Sequence, residues 1–571
     1  MPEEGDERLD QKARMNSSHP AAKHTTLAGF VALVVLTGIA YFPALRGGFI
    51  WDDDDYITKN QTLRNVHGLG RIWFEFGATR QYYPLVYTSF WIENHLWGLQ
   101  PAGYHVVNVL LHGTGAGLLW LILRRLAVPA AFIAAAAWAL HPVNVESVAW
   151  VTERKNVLSG VFYFASGLEF LRWARIGSAK QDSPGSSQTY AAAIALFICA
   201  LLSKSVTCTL PVALLIIFWW KRGRLTRRDL LAIAPFFSLG LVLGLTTARL
   251  ENTNVGAGGP EWHRPYLLRL ITAGQAFWFY LGKIVWPHPL IFVYPKWRID
   301  PSAGLGFVAL IGAIVLFAIL WASRQRIGRG PAAAMLFYLA TIAPALGFFN
   351  IYYAIRYSPV ADHFAYLAII GPITLVIAII AGGIRAATVR ERRATLGAAI
   401  GLPCLVTLGL LTWQQGLIYT NLESLWTDTV QKNPEAGIAQ HGLGNIAQKR
   451  GQYAEAQERY ERAITTEPPD SRTFFNLGTV LQNQGKLDEA QARYEEALRL
   501  EPDYAKCLVN YGALLVKKGR IDDAILAFAK AIRAQPGYIL AHENLAKALD
   551  QAGRHEQAAA EYREVERLRR K

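Results

Sequence analysis

Between residues 26 and 418 long apolar runs alternate with short basic junctions, and each run predicts a helix in a bilayer. The first, 26–45, has about the twenty apolar residues that a crossing needs. Further runs follow at about 105–123, 129–149, 156–174, 189–202, 208–220 and 231–249, then 304–322, 332–349, 364–383 and 395–418. The pair 189–202 and 208–220 is short and reads as a hairpin broken by Ser203-Lys204-Ser205 and Pro211. Segment 266–288, interrupted by Lys283 and Trp286-Pro287-His288-Pro289, reads as re-entrant or interfacial. The expectation is an all-α membrane domain of about eleven spans over 26–420, after a cytoplasmic tail at 1–25. An external loop fills 46–102, and its many aromatics are expected mostly at the lipid interface.

Beyond Trp413 the long runs end and a period of 34 residues begins. Gly444, Gly478 and Gly512 are followed by Ala546, and Gly451, Gly485, Gly519 and Gly553 recur. Ala456, Ala490, Ala524 and Ala558 form another column, and Tyr460, Tyr494, Phe528 and Tyr562 an aromatic one. Pro434, Pro468, Pro502 and Pro536 close successive units. This pattern is identified as the tetratricopeptide repeat, in which small residues let paired helices approach and aromatics fill the gaps. Residues 421–571 are therefore expected to form an α-solenoid, with the concave face of repeats 437–571 open to a peptide or protein acceptor.

Composition agrees with a membrane chain: 52% of the 571 residues are hydrophobic and 18% charged. The net charge of +15 does not point to nucleic acid, because the basic residues cluster beside the runs. Arg124-Arg125, Arg172 with Arg175, Lys221 to Arg228, and Arg390 with Arg392 and Arg393 all fall on one side, the positive-inside pattern. That topology puts the C-terminus outside. The four cysteines form neither a disulfide framework nor a CxxC metal site.

Candidate chemistry gathers on the external side. Asp52, Asp53, Asp54 and Asp55 follow the first run, and crowded carboxylates suit a general base or a cation site. Asp53 and Asp55 make an Asp-x-Asp pair compatible with a hydrated divalent cation, a weak metal signal. Glu146 lies at the end of the run at 129–149, followed by Arg154 and Lys155; Lys204 breaks the hairpin; and Arg356 and His363 precede the run at 364–383. Acids beside cations suit a lipid-phosphate substrate, with Arg154, Lys155 or Lys204 on the phosphate and a carboxylate taking a proton from an acceptor hydroxyl. His141 before Pro142 reads as a helix-end hydrogen-bonder. No Gly-Lys-Ser/Thr phosphate loop, HExxH or GxSxG occurs.

Phe49-Ile50-Trp51-Asp52-Asp53, Tyr83-Pro84-Leu85, Gly103-Tyr104-His105-Val106-Val107-Asn108 to His112, His141-Pro142-Val143-Asn144-Val145-Glu146, Arg154 and the repeats together resemble the transmembrane and tetratricopeptide-repeat protein O-mannosyltransferases. The resemblance implies GT-C architecture and transfer of a sugar, mannose in that family, from a polyprenyl-phosphate donor to a hydroxyl, on protein, outside the cytoplasm. It places Asp52 and Asp53 on the family's acidic pair. It also marks a departure, since relatives often carry Arg where this chain has His363: phosphate binding there either falls to another cation, with Arg356 a candidate, or stays with His363 and becomes pH-dependent through its imidazole. A membrane-anchored scaffold and a lipid-linked glycan transporter are the rival readings. The Ala- and Arg-rich composition points to a bacterial inner membrane with periplasmic repeats, or to an ER membrane with lumenal repeats if the source is eukaryotic.

Overall fold

A computed structural model describes residues 20–177, 185–254, 265–297, 299, 304–348, 356–466 and 470–570, so most of the expected tail at 1–25 lies outside them. Among the described residues every regular element is helical. The chain divides into two compact units, Met1–Leu422 and Glu423–Lys571.

Among the described residues of the first unit, five helices are long and apolar enough to cross a membrane: Pro101–Arg125, Ser205–Arg222, Arg227–Thr247, Ile370–Ala387 and Glu391–Ile418. Four apolar helices are shorter, His24–Ala40, Ser187–Leu201, Val308–Ser323 and Gly330–Ala345. Ser187–Leu201, at 15 residues, rises only about 22 Å, less than the hydrocarbon thickness.

The run at 129–149 is not one helix. The helix Ala131–Ala139 stops before His141-Pro142, continues as the 3-10 turn Pro142–Asn144, and resumes as the five-residue helix Val145–Ala149. Proline pushes its predecessor to extended backbone, and His141 obliges with φ −76° and ψ 125°. Residues 134–154 are all buried, so this run is apolar because it lines the protein interior.

The stretch at 46–102 has a core of its own. Tyr56, Ile57, Leu63, Ile72, Tyr83, Val86, Tyr87, Phe90 and Tyr104 pack together with Val151. Tyr83 and Tyr104, expected at the lipid interface, are buried in it. Their rings meet other rings: Phe49 packs edge-on to Tyr104, and Tyr56 stacks on Tyr87 at 5.3 Å.

The second unit begins with Leu422–Lys432 and continues as four helix pairs: Gly437–Lys449 with Tyr453–Thr466, Ser471–Asn483 with Leu487–Leu500, Ala505–Lys517 with Ile521–Ala534, and Ile539–Gln551 with His555–Arg569. Gly451, Gly485, Gly519 and Gly553 adopt φ of 74°, 80°, 76° and 72° between paired helices, a region open to glycine at little strain. The other glycine column is a matter of space. A Cβ at Gly444, Gly478 or Gly512 would lie 2.7, 2.7 or 2.6 Å from the ring of Tyr460, Tyr494 or Phe528. Gly478→Ala is therefore expected to destabilise the second unit by about 1–3 kcal/mol through overpacking. Amide exchange in the full chain checks this, with faster opening confined to the helices around Tyr494.

Candidate active site

The acidic run resolves into four carboxylates with four different surroundings. Trp51 has φ 42°, an unusual backbone for a large side chain, and the chain then enters the π-helical turn Asp54–Thr58. The fully buried Asp53 accepts hydrogen bonds from Ile50 N at 2.8 Å, Thr152 N at 2.8 Å and Thr152 Oγ1. Burial pushes its carboxyl up to about 7 against the pull of those donors. Asp54 turns away to accept from Thr58 Oγ1 and Lys59 Nζ, both at 2.7 Å. Asp55 pairs with Arg80. Asp52, its side chain 26% exposed, lies 3.4 Å from the same guanidinium.

Burial raises the Asp52 carboxyl above its ordinary range; Arg80 and Lys155 pull it back, and Asp55 and Glu153 add to the rise. Asp52 is thus a carboxylate with raised proton affinity that still reaches solvent, the combination a general base requires. The carboxylates of the weak Asp53–Asp55 pair point apart, one to Thr152 and the other to Arg80.

Near Asp52 lies a cationic cluster, with Lys155 its nearest member. Glu153, buried at the end of the 3-10 turn Val151–Glu153, takes Lys155 Nζ at 2.9 Å on one oxygen and Lys204 Nζ at 3.4 Å on the other. Asn156 completes the group, accepting from Lys204 at 2.6 Å and donating to Glu153 at 2.7 Å. Burial alone would raise Glu153, but Lys155, Lys204 and His363 outweigh it and hold the carboxyl well below its ordinary range. Lys155 is likewise held charged: burial disfavours the cation, and Glu153 more than compensates. Over the pocket, Trp51 stacks on Trp150 at 5.4 Å, and Phe292 and Tyr357 meet Trp51 edge-on.

Three expected residues take structural positions. Arg154 is fully buried, and its donors go to Glu93, Asn108 Oδ1, Ser89 Oγ and the Tyr104 carbonyl, which leaves its guanidinium committed to protein rather than to phosphate. Glu146, also buried, accepts from His363 N at 3.0 Å and lies 2.9 Å from His363 Nδ1. Both line the floor: Asn156 Nδ2 donates to the His363 carbonyl at 3.1 Å. His141 accepts from Val143 N and so caps its turn. Arg356 is half-buried at the edge of the described residues, next to Tyr357. The structure therefore gathers Asp52, Lys155 and Lys204, backs them with Glu146 and His363, and turns Asp53, Asp54 and Arg154 elsewhere. Sequence reading passed over Arg80 and Glu93. The signal for Arg80 is a lone cation in the aromatic stretch Gln81-Tyr82-Tyr83, and for Glu93 a lone carboxylate inside an otherwise apolar helix.

Tetratricopeptide-repeat family models match residues 439–472, 475–539 and 512–571. Protein O-mannosyl-transferase Tmtc1 of Drosophila melanogaster is 30% identical over 173 residues, 28% of this chain and 20% of the fly protein. Protein O-mannosyl-transferase F38B6.6 of Caenorhabditis elegans is 23% identical over 462 residues, 77% of this chain and 63% of the worm protein. This chain is related to the TMTC protein O-mannosyl-transferases. Human TMTC4 is 30% identical over 203 residues, 30% of this chain and 27% of its own length. The matched regions thus span from about a fifth to just under two thirds of these TMTC proteins. Among solved structures, MamA is similar at 18% identity and a TM-score of 0.25, over 28% of this chain and 91% of MamA. YrrB, a tetratricopeptide-repeat protein with an unusual peptide-binding site, is similar at 22% identity and 0.24, over 30% of this chain and 86% of YrrB.

The geometry separates neighbouring carboxylates experimentally. Asp53→Asn turns an amide N–H toward a backbone donor and is expected to destabilise the first unit by about 1–3 kcal/mol. Asp54→Asn loses only a surface ion pair and is expected to stay within about 0.5 kcal/mol of the parent. Thermal unfolding of both variants in detergent checks the difference.

Proposed function

We propose that this chain is an integral-membrane glycosyltransferase of GT-C architecture. It moves a sugar, mannose by analogy with its relatives, from a polyprenyl-phosphate donor to a hydroxyl of a protein acceptor. The observation that carries the reading is Asp52: a partly exposed carboxylate with raised proton affinity, beside Lys155, which shares Glu153 with Lys204, and next in the chain to Trp51, which stacks on Trp150. In an inverting displacement Asp52 takes the acceptor hydroxyl proton as the new C1–oxygen bond forms. The C1–phosphate bond breaks, and Lys155 and Lys204 receive the departing phosphate. Glu153 balances their charge before the donor arrives, and the stacked tryptophans offer an apolar face to the sugar.

The same reading gives eleven spans, the loop 46–102 and the repeats outside, and the repeats' concave face as the acceptor's docking surface. In a bacterium the repeats are periplasmic. A C-terminal alkaline phosphatase fusion is then expected to be active, and a fusion active only in the cytoplasm would remove the topology.

Purified protein incubated with a series of polyprenyl-phosphate sugars is expected to consume at least one of them. Asp52→Asn is expected to lower turnover by about 100-fold or more without loss of folding, as removal of a general base does. Lys155→Met and Lys204→Met are expected to weaken donor binding. Donor consumption undiminished in Asp52→Asn would overturn the assignment of the base. Because burial raises Asp52, the acid limb of the rate profile is expected above the ordinary carboxylate range, with activity rising as pH rises through it.

A further inference from the structure

Arg80 reaches Asp52 from a loop that is fastened on both sides of it. Gly77 turns the chain at φ 96°, Thr79 Oγ1 donates to the Gln81 carbonyl at 2.9 Å, Gln81 Oε1 accepts from Tyr56 OH, and Tyr82 OH donates to the Trp73 carbonyl at 3.1 Å. The guanidinium therefore arrives from a set direction. It rests on Asp55 and extends a second contact, at 3.4 Å, to Asp52 Oδ1.

An exposed ion pair of this kind adds little to stability. Its value lies in what faces Asp52. From its own turn come Asp53 and Asp55, from the loop Arg80, and from the turn at 151–155 Glu153 and Lys155; Tyr56 and Tyr357 lie near Arg80, and Tyr83 near Lys155. Only two of these are cations. Lys155 is already committed to Glu153 at 2.9 Å, and a phosphate in the pocket would neutralise it further. Arg80 then remains as the cation opposing protonation of Asp52 from solvent.

We propose that Arg80 is a positioning residue for Asp52: anchored on Asp55, its guanidinium aims the Asp52 carboxylate and keeps it ionised until it takes the acceptor's proton. This rests on the reading of Asp52 as the base, but its test does not require turnover. A carbodiimide modifies the neutral form of a carboxyl, so labelling of Asp52 in the full-length protein, followed by mass spectrometry across pH, reports its ionisation. In Arg80→Gln the labelling midpoint of Asp52 is expected to rise by about one unit, the size of an opposite charge removed at this distance. Arg80→Lys is expected to restore most of it, and Asp54, whose carboxylate accepts from Thr58 and Lys59, to keep its midpoint. If the protein turns over a polyprenyl-phosphate sugar, the acid limb of its rate profile moves by the same amount, with the KM for donor unchanged. An Asp52 midpoint identical in Arg80→Gln and the parent would overturn the inference. So would an equal shift at Asp52 and Asp54, which marks Arg80 as merely structural. Absence of donor turnover in the parent, with the Asp52 shift present, would remove the enzymatic reading and leave the Arg80–Asp52 coupling standing.

Discussion

The buried guanidinium of Arg154 ties the loop at 46–102 to the helices that follow it. One side reaches Glu93 and Ser89 in the helix Pro84–Trp97; another reaches Asn108 and the Tyr104 carbonyl in Pro101–Arg125; and Phe90 covers the cation at 5.1 Å. Asn108 in turn donates to the carbonyls of Val148 and Trp150, fixing the turn from which Arg154 departs. A charge so placed is tolerable only while every partner is present, and removal of one partner of such a pair commonly costs about 3–5 kcal/mol. The arrangement is closed on itself, so loop, turn and helix hold one geometry.

That geometry has a direct chemical result, because Arg154 stands between Glu153 and Lys155. As the 3-10 turn gives way to the helix Arg154–Trp173, the central residue faces the core and its neighbours face the pocket. One residue earlier, Thr152 takes hold of Asp53. Four consecutive residues therefore clamp the acidic turn, balance the lysines, anchor the loop and supply a cation. The folding contacts and the candidate chemistry share a backbone segment, and neither can shift without the other.

The repeats were legible in the sequence because each structural demand recurs every 34 residues, so Gly444, Gly478 and Gly512 testify for one another. The acidic run was legible as a place but not as a set of roles. Asp53 meets Thr152 from 99 positions away and Asp52 meets Arg80 from 28, and no local pattern announces such partners. Hydropathy also ran over the break at His141-Pro142 within 129–149 and gave no sign that Tyr83 and Tyr104 are buried, since it measures aversion to water and not the partner that relieves it. Arg154 misled for a related reason: an arginine near a membrane surface reads as a phosphate ligand until its Glu93 partner is known.

The divergence of the four carboxylates changes what the acidic run means as a length of chain. Each aspartate owes its surroundings to its register in a turn that starts at the left-handed Trp51 and tightens at Asp54–Thr58. Deleting or inserting one residue there would keep the stretch acidic while handing every carboxylate its neighbour's partners. The run thus behaves as a spelled word whose order matters, and a chain with the same charge but a shifted spacing would carry the letters without the sense.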